Sequence, residues 1–279
     1  MIPISLGVTL LDYSGILSKM AALLNPLFVF IGLSGQCAFV FLTSIFLNIY
    51  SAIAVISTLP LSIREITILA MMCLISHNMI VEVLIMQKTG SNPWKMVTLR
   101  LGSSILMALI LNYFLPAAKI SGSILNASEI HIKTFYQIMT AWAVMIFWLS
   151  VKVAGFVSLL MFIQKWLEVS GIMEWLSRIL SPVLFLMGLP KNSAFLWIVA
   201  NVLGLGYSAA IMIDYHEQKK ISKEENNILN HHIAVNHSLL EDTLLFVAIG
   251  VSGFWITVPR VLLAVLIVWI YRLYRYILA

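Results

Sequence analysis

Charge is scarce in this sequence. Asp, Glu, Lys and Arg make up 10% of its residues and hydrophobic residues 61%, whereas an average soluble domain is roughly 25% charged. The mean hydropathy is +0.99. Such a balance excludes an ordinary soluble fold, and the apolar runs suffice to cross a bilayer whose core needs about 20 helical residues per crossing. The short alternating segments of a membrane β-barrel are missing. The expected fold class is therefore an all-α integral membrane protein, because helices satisfy their own backbone groups inside lipid.

Cysteine is nearly absent. Cys37 and Cys73 both sit in apolar runs without CxxC spacing, which excludes a disulfide framework or a thiolate metal site and predicts buried thiols. Walker A, GxGxxG and HExxH motifs do not occur, so nucleotide-driven action by this chain alone is not expected, and the chain is not read as an enzyme. A basic n-region is also lacking at the start, MIPISLGVTLLDYSG, so it is not read as a secretory signal. The net charge is +5. Its basic residues fall mostly in short connections, which fits positive-inside topology and a lipid bilayer rather than nucleic acid as partner.

Apolar runs bounded by charge, Gly or Pro predict helices over Leu11–Leu33, Cys37–Leu59, Ile66–Met86, Trp94–Leu115, Tyr136–Leu167, Ile172–Gly188, Ala194–Ile213, Ile228–Ile249 and Phe254–Ile277. That is about 8–10 helices, some short, Pro-containing or re-entrant. Hydrophilic interruptions cover Pro116–Thr134 and Asp214–Asn227. Asn126-Ala127-Ser128 fits a glycosylation pattern and is read as loop.

The chain also repeats itself. SGILSKMAALLNPLFVFIGLSGQCAF from Ser14 aligns with SGIMEWLSRILSPVLFLMGLPKNSAF from Ser170, an offset of 156. Further on the offset becomes 160, pairing Ser62 with Ser222, Glu65 with Glu225, His77 with His237, Glu82 with Asp242, and Arg100 with Arg260. The expected organisation is a first repeat over 1–115, a linker over 116–135 and a second repeat over 136–279, the halves inverted, the favoured arrangement, if the short Pro-containing segment crosses the membrane and parallel if it is re-entrant. The helix near Tyr136–Ser158 has no counterpart before Met1, so either the first repeat has lost it or the natural chain is longer.

Polar residues inside apolar runs are the candidates for function. On a continuous helix advancing roughly 100° per residue, Asn226, Asn230, His237 and Glu241 would share an arc of about 60°, with Asn227, His231, Ser238 and Asp242 beside it. The matching first-half run keeps His77, Asn78 and Glu82. Ionisable groups in the bilayer cost roughly 2.5 to 3.5 kcal/mol each on insertion scales. Two such clusters at equivalent places predict a shared site in which His77, Asn78, Glu82, His237, Ser238, Glu241 and Asp242 bind a small polar solute, a cation or a coupling proton. A divalent metal such as Zn²⁺ or Fe²⁺ would be held by His77, Glu82, His237 and Glu241. A His–carboxylate pair can also simply tie helices together. Gln36, Asn48, Asn192, Asn201 and Asn230 are expected to line the cavity, Gln36 and Asn192 at equivalent turns.

SHNMIVEVLIM and VNHSLLEDTLLF, with the preceding NPLFVFIGLSGQ and SPVLFLMGLPKNS, make the chain resemble bacterial nucleoside recognition (Gate) domain membrane proteins. It looks like two Gate-like repeats, distantly similar to spore maturation membrane proteins, concentrative nucleoside transporters and the membrane core of ferrous-iron transporter B. The fused GTPase of the iron transporter is absent, and the chain is shorter than the nucleoside carriers. The polar clusters at the repeat interface lead us to expect a multi-pass transporter or permease of the bacterial cytoplasmic (inner) membrane, able to form a homo-oligomer; what the resemblance adds is nucleoside transport as one variant. The competing expectations are a non-transporting assembly subunit and, more weakly, an intramembrane metalloenzyme.

Overall fold

The computed structural model describes residues 1–116 and 134–278, and these form fourteen α-helices and one 3₁₀ turn. No strand occurs among the described residues. The Asn126-Ala127-Ser128 pattern and most of the expected linker lie outside them. The first half contains α1 (Ile2–Tyr13), α2 (Ile16–Phe30), α3 (Cys37–Phe46), α4 (Ile49–Ile56), α5 (Ile63–Ser76), α6 (Met79–Lys88) and α7 (Pro93–Phe114). The second contains α8 (Phe135–Val169), α9 (Ile172–Leu186), the turn Lys191–Ser193, α10 (Ala194–Val202), α11 (Gly204–Glu217), α12 (Lys223–Ile233), α13 (Glu241–Ala248) and α14 (Gly253–Leu278).

Several helices expected as single rods are broken. The run Leu11–Leu33 is two helices bent by 92°, turning at Gly15, whose φ of 72° suits a residue without Cβ. Gly171 makes the matching turn between α8 and α9 with φ 71°. In the alignment α1 thus stands against the last part of α8. The runs Cys37–Leu59, Ile66–Met86, Ala194–Ile213 and Ile228–Ile249 are each divided as well, into α3/α4, α5/α6, α10/α11 and α12/α13. Much of the hydrophilic interruption Asp214–Asn227 is helical, because α11 runs on to Glu217 and α12 starts at Lys223.

Paired positions carry paired local chemistry. Ser62 and Ser222 both open their helices with a capping box, in which the serine side chain accepts from the Glu65 or Glu225 backbone and the glutamate side chain accepts in return. Gly32 and Gly188 follow α2 and α9 with φ 78° and 84°. Their carbonyls accept from Arg64 (3.0 Å) and Arg272 (2.6 Å).

Four stretches are long and apolar enough to cross a membrane: Ile63–Lys88 taken through its break, α7, α8 and α14. The bent pair α1–α2 makes a fifth if it is one span. Large apolar side chains stand exposed along the outside, among them Leu23, Phe30, Phe162, Leu186 and Leu262. The interior is built on α5, which packs against α7, α3 and α14. Ile53, Leu69, Met72 and Phe246 belong to that core, while Leu196, Ile198, Leu229 and Ile233 centre a second one around α10 and α12.

Candidate functional site

Two helix breaks create the site. At the first, α5 ends at Ser76, His77 turns extended (φ −64°, ψ 159°), and Asn78 enters α6 from the left-handed region at φ 48°. At the second, the backbone leaves α12 at Ala234 and rejoins a helix at Glu241, with Ser238 at φ 49°. Backbone groups freed by a break in a dry interior must find partners. They find them on the neighbouring broken helix: the Asn78 N–H donates to the Ser44 carbonyl on α3 (2.9 Å), and the Ser238 N–H to the Ala200 carbonyl on α10 (3.1 Å). Leu240 adds a bond from its N–H to the Asn201 carbonyl (3.1 Å). Each histidine break is thereby held against the end of another short helix.

The two histidines then meet. Their ring centroids are 5.0 Å apart. His77 Nδ1 lies 3.0 Å from the Cys73 carbonyl, and His237 Nδ1 lies 2.7 Å from the Ile233 carbonyl. A carbonyl only accepts, so each Nδ1 carries the hydrogen and each Nε2 faces inward. His77 Nε2 is 3.2 Å from Glu82 Oε1 and 3.2 Å from Asp242 Oδ2. His237 Nε2 is 3.2 Å from Glu82 Oε2. All four side chains are buried.

Two arginines stand behind the carboxylates. Arg100 Nη2 contacts Glu82 Oε2 at 2.7 Å, while its Nε and Nη2 donate to the Ile75 (2.8 Å) and His77 (2.7 Å) carbonyls. One guanidinium therefore caps the broken end of α5 and orients Glu82. Arg260, at the paired position, donates to Thr243 Oγ1 (3.0 Å), and like Arg100 it is fully buried. Sequence reasoning aligned these arginines without placing them at the site. The available signal was a cation within the apolar runs Leu99-Arg100-Leu101 and Val258-Pro259-Arg260-Val261.

The continuous stripe expected along Asn226 to Glu241 does not form, because the helix ends at Ile233, between its second and third members, and resumes only at Glu241. The i, i+4 phasing of His237 with Glu241 fails for the same reason. Asp242 reaches His77, whereas Glu241 turns to a second cluster: the Tyr50 hydroxyl donates to its Oε1, and Gln164 Nε2 donates to its Oε2 at 3.3 Å. Gln164 was not anticipated. Among the described residues the group whose ligand atoms converge within 4.8 Å is His77, Glu82 and His237, so the expected metal set is corrected by the loss of Glu241. Asn78 and Ser238 supply the two breaks with their backbone.

The expected cavity residues are dispersed. Asn201 is buried beside the second break, its Nδ2 donating to the Trp197 carbonyl (2.9 Å). Asn48 caps α4 by accepting from the Ser51 N–H (2.9 Å) and is exposed. Asn192 donates to Glu225 (3.2 Å) in an exposed pair, and Gln36 lies in a surface groove with Asn25 and Glu65. Asn230 belongs to a separate buried network, donating to Thr89 Oγ1 and Ser91 Oγ at 2.9 Å each. These residues cap, clamp or pack, and do not surround the histidines.

No family model matches the chain, and no solved structure matches it. A curated relative does. The chain is 31% identical over 267 residues to the uncharacterized membrane protein YvoD of Bacillus subtilis (strain 168), a match covering 95% of this chain and 86% of that protein. With so little of the chain outside the match, both histidine breaks fall inside it. Long apolar spans, lipid-facing side chains and this end-to-end likeness agree: the chain is a multi-pass membrane protein and belongs to the family of YvoD.

Proposed function

We propose that this protein is a permease of the bacterial cytoplasmic membrane that moves a small polar solute or cation through the site between its two histidine breaks. One observation carries the reading: four ionisable side chains from separate halves of the chain meet in the interior with both Nε2 atoms turned toward carboxylates. Buried charge is expensive in a bilayer and tends to mark a transport path. Broken helices that meet deep in the membrane are a recurring way to build such a path, because their free ends can bind what crosses. The paired caps, glycine turns and histidine breaks support two Gate-like repeats, 1–115 and 136–279, with the site at their interface. In this reading the chain performs no chemistry on its solute.

The test is flux in liposomes reconstituted with the purified full chain and challenged with a panel of polar solutes and cations. Uptake that disappears in His237→Ala and in Glu82→Gln, while both variants stay monodisperse and helical, supports the proposal. A panel without any protein-dependent flux, or flux indifferent to both substitutions, refutes it and leaves the polar cluster a device for holding helices together.

A further inference from the structure

We propose that His77, Glu82 and His237 form a binding site for a divalent first-row transition-metal cation, with Asp242 beside His77, which names the solute that the permease reading leaves open and rests on that reading only for the step of transport.

The argument begins with hydrogen positions. Both imidazoles spend the Nδ1 hydrogen on a backbone carbonyl one turn back, at Cys73 and Ile233. A neutral ring so fixed presents a lone pair at Nε2, and here that lone pair points at carboxylate oxygens 3.2 Å away. Lone pair against lone pair is repulsive. A positive centre between them turns every one of these contacts into an attraction, and His237 Nε2, fully buried, has no hydrogen-bond donor or acceptor of its own.

Spacing agrees with a metal. Imidazole and carboxylate ligands bind Zn²⁺ at about 2.0–2.1 Å in tetrahedral geometry, which sets neighbouring donor atoms about 3.3 Å apart. Glu82 sets one oxygen 3.2 Å from each imidazole Nε2, the length of such an edge, and one ligand atom from each of His77, Glu82 and His237 converges within 4.8 Å. The backbone carbonyls and Arg100 act as the outer layer such sites use, since the carbonyls fix the imidazole tautomer and the guanidinium orients the Glu82 carboxylate. Ligand chemistry narrows the ion further. Two imidazoles disfavour Mg²⁺ and Ca²⁺, which take oxygen, and without a thiolate among the donors the site is unsuited to Cu⁺. Zn²⁺, Fe²⁺, Co²⁺, Ni²⁺ and Mn²⁺ fit.

The experiment uses the purified full chain in detergent, stripped with a chelator and dialysed against Zn²⁺, Mn²⁺, Mg²⁺ or Ca²⁺, with Co²⁺ as a spectroscopic probe. The expected result is about one Zn²⁺ per chain, visible Co²⁺ absorption from a nitrogen–oxygen site, and no retention of Mg²⁺ or Ca²⁺. His77→Ala and His237→Ala should each weaken binding by about 100-fold or more, while Glu241→Gln and His231→Ala leave it unchanged. Wild-type protein that retains no transition metal and shows no Co²⁺ bands overturns the proposal without recourse to any variant, as protons on the imidazoles would then supply the missing positive charge. Binding that survives loss of both histidines overturns it too. Metal bound without flux sinks the permease reading alone; flux of another solute without metal binding sinks this proposal alone.

Discussion

Asn78 and Ser238 share one unusual backbone conformation, with φ of 48° and 49°, and each passes its N–H to a carbonyl on the neighbouring broken helix. The left-handed region costs an L-residue roughly 1–2 kcal/mol, more if it is β-branched. Ser238→Gly should therefore be neutral or stabilising in thermal unfolding, while Ser238→Val should destabilise by about 2 kcal/mol or more. Equal melting of the two variants would show that the break is not held in this conformation.

Arg100 and Glu82 should behave as a buried ion pair. Arg100→Ala strips the partner from Glu82 and from the Ile75 and His77 carbonyls, and is expected to cost about 3–5 kcal/mol. Arg100→Lys should recover part of this, since an ammonium cannot reproduce the fork. Replacing both partners with leucine should cost less than the two single losses added together. A denaturation cycle over the four proteins measures the coupling, and strictly additive losses would argue against direct contact.

Adjacent carboxylates should separate in function. Asp242 faces His77, but Glu241 faces Tyr50 and Gln164. Asp242→Asn is expected to reduce flux by at least about tenfold, the equivalent of one charge-assisted hydrogen bond. Tyr50→Phe should instead lower stability by about 1–3 kcal/mol, by leaving Glu241 short of a donor. Liposome uptake and thermal unfolding run on the same preparations distinguish the two effects, and the reverse pattern would contradict the geometry.

Gly35 lies under α2. A Cβ there would come within 2.0 Å of the Ala21 carbonyl oxygen, and its N–H donates to Asn25 Oδ1 (3.1 Å). Gly35→Ala should therefore push the helix outward at a cost of about 1–3 kcal/mol. Gly155→Ala meets nothing within 4 Å and should be neutral or slightly stabilising, as alanine favours a helix by about 1 kcal/mol over glycine. Parallel melting curves decide the order.

Hydropathy alone disclosed the apolar runs, and pairing His77 with His237 pointed to the polar centre, because both depend on residue type rather than on exact phase. The breaks were not legible. A two-residue interruption such as His77-Asn78 leaves an apolar window almost unchanged, yet it rotates everything beyond it; the longer break over 234–240 does the same, which is why the helical wheel put Glu241 where Asp242 stands. Cavity residues were misplaced for a related reason. Asn48 reads as a polar mark inside an apolar run and Asn192 as a turn residue equivalent to Gln36, but their side chains serve a helix start and an exposed pair. Arg100 was visible in the sequence as an intramembrane cation, and its partners across the fold were not.

The carboxylates that face the histidines are matched by two buried guanidiniums, Arg100 and Arg260. A voltage across the bilayer does work only on net charge, about 2.3 kcal/mol per elementary charge per 100 mV. Glu82, Asp242, Arg100 and Arg260 moving as one body would thus extract nothing from the electric field. Any current or voltage sensitivity recorded from such a movement would report charge held at the histidines, as a bound cation or as a proton.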